Sequence, residues 1–279
     1  MRLTHEKRPT PLKSTHIIGL TITSGFAFLL AGAAVPAHAT VVKNSFLKTT
    51  RTIRTTNSKK QVKLTIPKNT VVQAAGVKWS GHHKYVYINA DQLSYHLRKP
   101  LLSTKSTSNF SRWLRVSHTN FQQIKKPVYL SYYNTNVHNP LTKGTTYHTK
   151  ADLWKGHALP VDYQSQSGIR LRVTTDGYLE YFASSPYVYE TSAKPSDTAK
   201  VIGATYLDGL NQDIMTFNSS FSALPFKKSG NQYTLTISEQ GQWSTTATPN
   251  EDNLKSLNLQ KISKVEDQEW YWRYQTINY

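Results

Sequence analysis

Three polar residues around Trp154, namely Asp152, His157 and Asp162, have the types that general acid and base catalysis requires. Spaced five apart, they act together only if the fold gathers them, and ordinary loop residues show the same spacing. Glu266, Asp267 and Glu269 offer paired carboxylates to a sugar, but their place just before Trp270-Tyr271-Trp272 reads as a solvated acidic turn ahead of a final strand. The chain has no Gly-x-Ser-x-Gly elbow, no His-Glu-x-x-His, no phosphate-binding Gly-x4-Gly-Lys loop, no calcium loop and no cysteine. No catalytic residue, metal ligand or cofactor is therefore assigned. A wall-modifying enzyme whose residues come together from distant positions stays open as an alternative.

Charge is the stronger signal. Residues 40–150 contain 19 Lys and Arg against one acid, Asp91, whereas residues 151–279 contain 11 basic and 14 acidic residues. Solubility does not require the near-complete exclusion of acids from one half, and a field of one sign attracts polyanions over about 10 Å at moderate salt. The candidate phosphate-neutralising residues are Arg51, Arg54, Lys59, Lys60, Lys63, Lys84, Arg98 and Lys99, with Trp79 as a candidate sugar contact. Rings and cations also alternate over Trp79, Lys84, Tyr85, Tyr87, Tyr95, Arg98, Lys99, Arg112, Trp113 and Arg115. A surface of that kind attracts phosphate and stacks sugars or bases, although tyrosines on alternating strands serve equally as core. His82, His83, His96, His118, His138 and His148 share the basic half. Imidazoles gain charge on acidification, so polyanion binding is expected to be stronger at pH 5 than at pH 7.5.

The elements that carry these residues begin after an export signal. Arg2, Lys7, Arg8 and Lys13 precede an uncharged stretch from Ile17 to Val35, and Pro36-Ala37-His38-Ala39 follows. Small residues at 37 and 39 suit signal peptidase cleavage after Ala39, which makes residues 1–39 a secretory signal peptide. The competing reading is a retained anchor, since the stretch nearly spans a bilayer of about 30 Å. No second such stretch and no wall-sorting motif is present, so the exported part is expected to lack a membrane span and covalent attachment. Without cysteine, packing alone must stabilise it.

A shift of 75 residues superposes Phe46 on Phe121, Ile53 on Val128, Lys68 on Lys143 and Thr70 on Thr145; further on, Asp91 falls on Asp176 and Tyr95 on Tyr181. Within each proposed unit the period is two. Val62, Leu64 and Ile66 alternate with Lys63 and Thr65, and Ile169, Leu171 and Val173 alternate with Arg170 and Arg172. Turns are expected at Pro67-Lys68-Asn69-Thr70 and Ser80-Gly81-His82-His83.

The order of apolar strand, Lys-Asn-Thr or Lys-Gly-Thr turn, apolar strand and Tyr-Val-Tyr-Ile strand resembles the bacterial SH3-like surface modules of secreted lactobacillus-type extracellular proteins. The resemblance rests on Pro67 to Ala74, Tyr85 to Tyr95, Lys143 to Thr146 and Ile169 to Tyr181. It implies wall targeting or surface display rather than catalysis. The Gly-Trp dipeptide of some wall-binding versions is missing, so no ligand is implied.

The expected fold is all-β, with two small SH3-like barrels in tandem and a further β-rich C-terminal unit. The divisions are 1–39 signal peptide, 40–102 first unit, 103–119 linker, 120–190 second unit and 191–279 C-terminal unit. In the linker, Phe110, Trp113 and Leu114 have helical spacing, and a second short helix is expected from Pro249 through Leu254 and Leu257. The expected function is that of a secreted, non-catalytic binder held on anionic envelope polymers such as teichoic acids. A binder of host surfaces or extracellular nucleic acid is the alternative.

Overall fold

The computed structural model describes residues 40–56, 63–101, 111–132, 136–138, 145–147, 152–156, 167–186, 194–249 and 255–278; for 136–138, 145–147, 186, 242–249, 255–260 and 272–278 it describes the backbone alone. Most runs with apolar residues two apart in these stretches form strands, as in Lys63–Ile66 and Gln212–Phe217. The signal peptide lies outside the described residues.

The first sheet contains β1 (Phe46–Thr49), β4 (Val71–Ser80), β5 (His83–Asn89), β6 (Ser111–Arg115) and β7 (Phe121–Ile124), in the antiparallel order β6-β5-β4-β1-β7. Between β1 and β4 the chain makes a hairpin of β2 (Ile53–Thr56) and β3 (Lys63–Ile66). Leu64 and Ile66 of β3 are buried while Lys63 and Thr65 are exposed, as the alternation predicts. The turn into β4 places Asn69 at φ 67°, a left-handed conformation that asparagine tolerates. Thr49 secures it, its hydroxyl donating to the Pro67 carbonyl at 2.6 Å and accepting from the Thr70 N–H at 2.9 Å. Leu47, Leu64, Ile66, Val72, Val86 and Ile88 form the core beneath. Truncating one such leucine to alanine costs about 2–5 kcal/mol.

The second assembly is a closed antiparallel barrel. Its eight strands are β10 (Asp152–Lys155), β11 (Ser167–Val173), β12 (Tyr178–Pro186), β13 (Asp197–Leu207), β14 (Gln212–Phe217), β16 (Gln232–Pro249), β17 (Lys255–Val265) and β18 (Gln268–Asn278). Each pairs with the next, and β18 returns to β10 through Trp154↔Tyr271 and Lys155↔Trp270. Closure leaves no free edge around the ring. β15 (Lys227–Ser229) adds to the start of β16. Leu171, Val173, Leu179, Met215, Phe217 and Leu235 belong to one buried cluster, and an eight-stranded barrel is just wide enough for such side chains to fill it. β8 (Asn136–His138) and β9 (Thr145–Tyr147) form a separate pair. Among the described residues, no helix is long and apolar enough to cross a membrane.

The chain is therefore all-β, but the tandem of two SH3-like barrels is not the arrangement found. β7, from the expected second unit, completes the first sheet on β1, while β11 and β12 share one ring with strands from the expected C-terminal unit. The 75-residue match paired Phe46 with Phe121, yet these lie in neighbouring antiparallel strands of one sheet. The helix expected at Trp113 and Leu114 is strand β6, because Arg112 and Leu114 are buried while Trp113 is exposed, a period of two; Phe110 lies outside the described residues. Leu257, expected in a helix, sits on strand β17 opposite Ala247.

A buried polar seam joins the two assemblies. After β5 the chain runs through two short 3₁₀ turns flanking α1 (Tyr95–Arg98), and this segment meets the barrel. The Gln92 carbonyl accepts the Thr175 N–H at 2.9 Å, the Ser94 N–H donates to Asp176 at 2.8 Å, and Arg98 pairs with Glu180 at 2.8 Å. The barrel thus anchors the C-terminal end of β5.

Candidate functional site

The cationic half exposes no carboxylate. Its one acid, Asp91, is fully buried, and Arg172 of β11 pairs with it at 3.3 Å and donates to its backbone carbonyl at 2.8 Å. Burial alone would lower the Arg172 pKa; the Asp152 and Asp91 carboxylates, with Glu180, override it and hold the guanidinium charged. Whatever the first sheet displays to solvent is neutral or positive.

The β4-β5-β6 part of that sheet has two unlike faces. Val77, Val86 and Leu114 pair across the strands and turn inward. The intervening rungs, Gly76–Tyr87–Trp113 and Lys78–Tyr85–Arg115, turn outward. A bulge between Ala74 and Gly76 brings the glycine to this face, and the Trp113 ring lies beside it: a Cβ built on Gly76 would stand 3.7 Å from Trp113 Cη2 and 3.4 Å from Tyr87 Cβ. Tyr87 and Trp113 have ring centroids 5.0 Å apart at 47°. The Lys78 ammonium lies 4.3 Å from the Trp113 centroid, within range of a cation–π attraction. Trp113 remains 41% exposed and Trp79 67%. Lys84 stands 5.6 Å from the Trp79 ring at the hairpin tip, where Gly81 supplies the positive φ of the turn. His82 and His83 are exposed at this tip, and His96 and His118 are exposed elsewhere in the basic half.

The residues named from sequence are distributed as follows. Arg54 and Lys63 are exposed on the β2–β3 hairpin, with Lys59 and Lys60 outside the described residues. Arg51 is exposed, its Nε donating to Asn120 Oδ1 at 2.9 Å. Trp79 and Lys84 come together at the β4–β5 tip, and Lys99 is exposed beyond α1. Arg98 leaves the patch: it is fully buried, and both Glu180 oxygens accept from its Nη1. Lys78 went unnamed in the sequence reading; its place two residues from Gly76 and two from Ser80, in a strand entering a Gly-His turn, was the available signal.

The candidate catalytic groups have other partners. Asp152 accepts from Arg170 at 3.0 Å and from Arg172 at 2.6 Å, so it acts as a buried counter-ion; His157 and Asp162 lie outside the described residues. Glu266 is buried rather than solvated, accepting from the Thr236 N–H at 2.7 Å and pairing with Lys227 at 2.5 Å, while Asp267 and Glu269 are exposed. Ser94, His96 and Asp176 do meet. The Ser94 hydroxyl donates to the Asp176 carboxylate and lies 2.8 Å from His96 Nδ1, so the serine sits between the ring and the acid. In a nucleophilic relay the imidazole occupies the middle and draws the hydroxyl proton; here the carboxylate holds it, and Ser94 is buried in the seam.

Compared with known proteins, the chain matches no family model, no curated protein and no solved structure. The chemistry therefore rests on the geometry itself: stacking by exposed rings and charge neutralisation by the cations beside them.

Proposed function

We propose that the chain is exported, with cleavage after Ala39, and is retained without catalysis on the phosphate-bearing polymers of a bacterial envelope. The observation that carries this reading is the burial of Asp91 on Arg172, which leaves the cationic half with no exposed carboxylate around Lys78, Arg115 and the β2–β3 hairpin. Attraction of this kind is long-ranged, weakened by salt and tolerant of ligand sequence.

The strand order β6-β5-β4-β1-β7, with a hairpin between β1 and β4, supports an SH3-like module over about residues 41–124 in place of the expected tandem. Such modules serve as surface-targeting units in the family that the sequence resembles.

The test is sedimentation of the purified protein with Gram-positive cell walls, intact or stripped of teichoic acids. Retention on intact walls and release from stripped ones is the expected result. Equal retention on stripped walls overturns the reading in favour of peptidoglycan recognition, and preferential capture by nucleic acid of matched charge density overturns it in favour of nucleic-acid binding.

A further inference from the structure

We infer that Trp113 and Tyr87 form a seat for one sugar ring of the anionic polymer, with Lys78 and Arg115 receiving the phosphate attached to that sugar. The ligand class is thus a sugar-bearing polyphosphate rather than a bare polyphosphate chain, an inference that rests on the envelope-binding reading above.

The placement of Trp113 is the first argument. Among the described residues β6 is an edge strand, and its Trp113 indole reaches across β5 toward Gly76 on β4. Folding alone gives little reason to leave so large an apolar ring 41% exposed when Leu114, its neighbour on the same strand, is buried. A flat apolar surface over a glycine, with a second ring tilted 47° beside it, suits the C–H face of a pyranose.

The second argument is the spacing of charge. Lys78 and Arg115 occupy the adjacent outward rung on either side of Tyr85. Two residues along a strand span about 7 Å, and two strand spacings about 9.5 Å, so the cations stand one substituent's reach from the ring seat and can take one phosphate from both sides. Lys78 is already drawn toward the indole at 4.3 Å, which orients the ammonium at the seat before a ligand arrives.

The third argument is what this face lacks. Sugar hydroxyls are donors that carboxylate oxygens accept strongly. Residues 40–150 hold no acid besides Asp91, which is buried on Arg172. Stacking and anion capture are the recognition modes that the face offers, and together they select a sugar that carries negative charge.

The experiment compares three probes of matched charge against the purified protein by calorimetry: poly(glycerol phosphate) bearing hexose substituents, the same polymer unsubstituted, and a single-stranded oligonucleotide. Trp113→Ala, Trp113→Phe and, as a control ring, Trp79→Ala are measured alongside, with thermal melts to confirm folding. The wild type binds the hexose-bearing polymer about tenfold more tightly than the bare one, equivalent to about 1.4 kcal/mol. Trp113→Ala abolishes that preference, and Trp113→Phe retains part of it. Equal affinity for the two polymers, or a preference that survives Trp113→Ala, overturns the sugar seat and leaves envelope retention standing. Failure to bind either polymer overturns the retention itself. Tightest binding to the oligonucleotide, lost in Trp113→Ala, assigns the seat to a nucleobase and overturns the inference.

Discussion

Arg172 reaches from strand β11 of the barrel to Asp91 of the cationic half, its Nη1 lying 3.3 Å from Asp91 Oδ1 and 2.8 Å from the Asp91 carbonyl oxygen. One contact thus ties the two assemblies together and removes the single acid from the surface of the basic half. Asp91→Asn keeps the shape and deletes the charge. A buried, charge-assisted hydrogen bond of this kind is worth about 1.5–3 kcal/mol, so chemical denaturation should show a loss of that order. Polymer affinity, measured well below the melting temperature, should stay at the wild-type value, because a buried carboxylate contributes nothing to the displayed face. Affinity that rises in Asp91→Asn contradicts this account.

Arg98 and Lys99 are neighbours in sequence with opposite roles. Arg98→Ala strands the buried Glu180 carboxylate, which also accepts from the Tyr95 N–H, and breaking a buried pair from one side costs about 3–5 kcal/mol. Lys99→Ala, at an exposed position, should alter stability by no more than about 0.5 kcal/mol. Urea titration of the two variants checks this, and equal losses would refute it.

Local strand patterns were legible in the sequence, whereas their long-range partners were not. The alternation over Lys63 to Ile66 and over Ile169 to Val173 reports which side of a strand is apolar, and both runs are strands. Nothing local announces that Trp154 pairs with Tyr271 to close the barrel, because closure depends on the twist and stagger of the whole ring. The 75-residue match is equally silent on partners: Phe46 and Phe121 lie on adjacent strands of one sheet, yet Phe46 packs with the barrel cluster and Phe121 with the core of the first sheet. Buried Arg112 made β6 look helical, since a polar residue facing inward erases period two and leaves Trp113 and Leu114 as the apparent stripe. For the candidate site, charge asymmetry and the ring-cation alternation single out residues 40–150, but not which of their cations reach solvent. Separating exposed Lys78 from buried Arg98 required knowing which positions the barrel covers.

Asp213 makes stability depend on pH. Its carboxylate accepts from the Ser131 and Tyr132 N–H groups, at 3.1 and 3.5 Å, pinning the turn after β7 to β14. Burial pushes its pKa from 3.8 up to about 7, outweighing those two bonds and the nearby Lys126 ammonium, which pull it down. A carboxyl whose pKa rises on folding binds its proton more tightly when folded, so its stabilising effect is complete below about pH 4 and lost as pH climbs through about 7. The midpoint of thermal unfolding should therefore be higher at pH 5 than at pH 8 on account of this group. Asp213→Asn should remove most of that difference, and a variant whose profile runs parallel to the wild type would show that Asp213 is not responsible.

Gly177 turns β11 into β12 at φ 78°, where an added Cβ would stand 3.4 Å from the Tyr129 ring. Tyr129 in turn donates to the Thr175 carbonyl at 2.6 Å. Gly177→Ala imposes left-handed strain of about 1–2 kcal/mol, with only ordinary contact against the ring. Denaturant midpoints of the variant and the wild type check the figure, and an unchanged midpoint contradicts it.

The central claim, retention through exposed cations, is tested most directly by the salt dependence of binding to intact walls, measured by sedimentation for the wild type and for the double variant Lys78→Ala/Arg115→Ala. The account predicts that the logarithm of the wild-type affinity falls linearly with the logarithm of salt concentration, and that the double variant binds more weakly with a shallower slope. Affinity that is indifferent to salt, or a double variant with the wild-type slope, would contradict it.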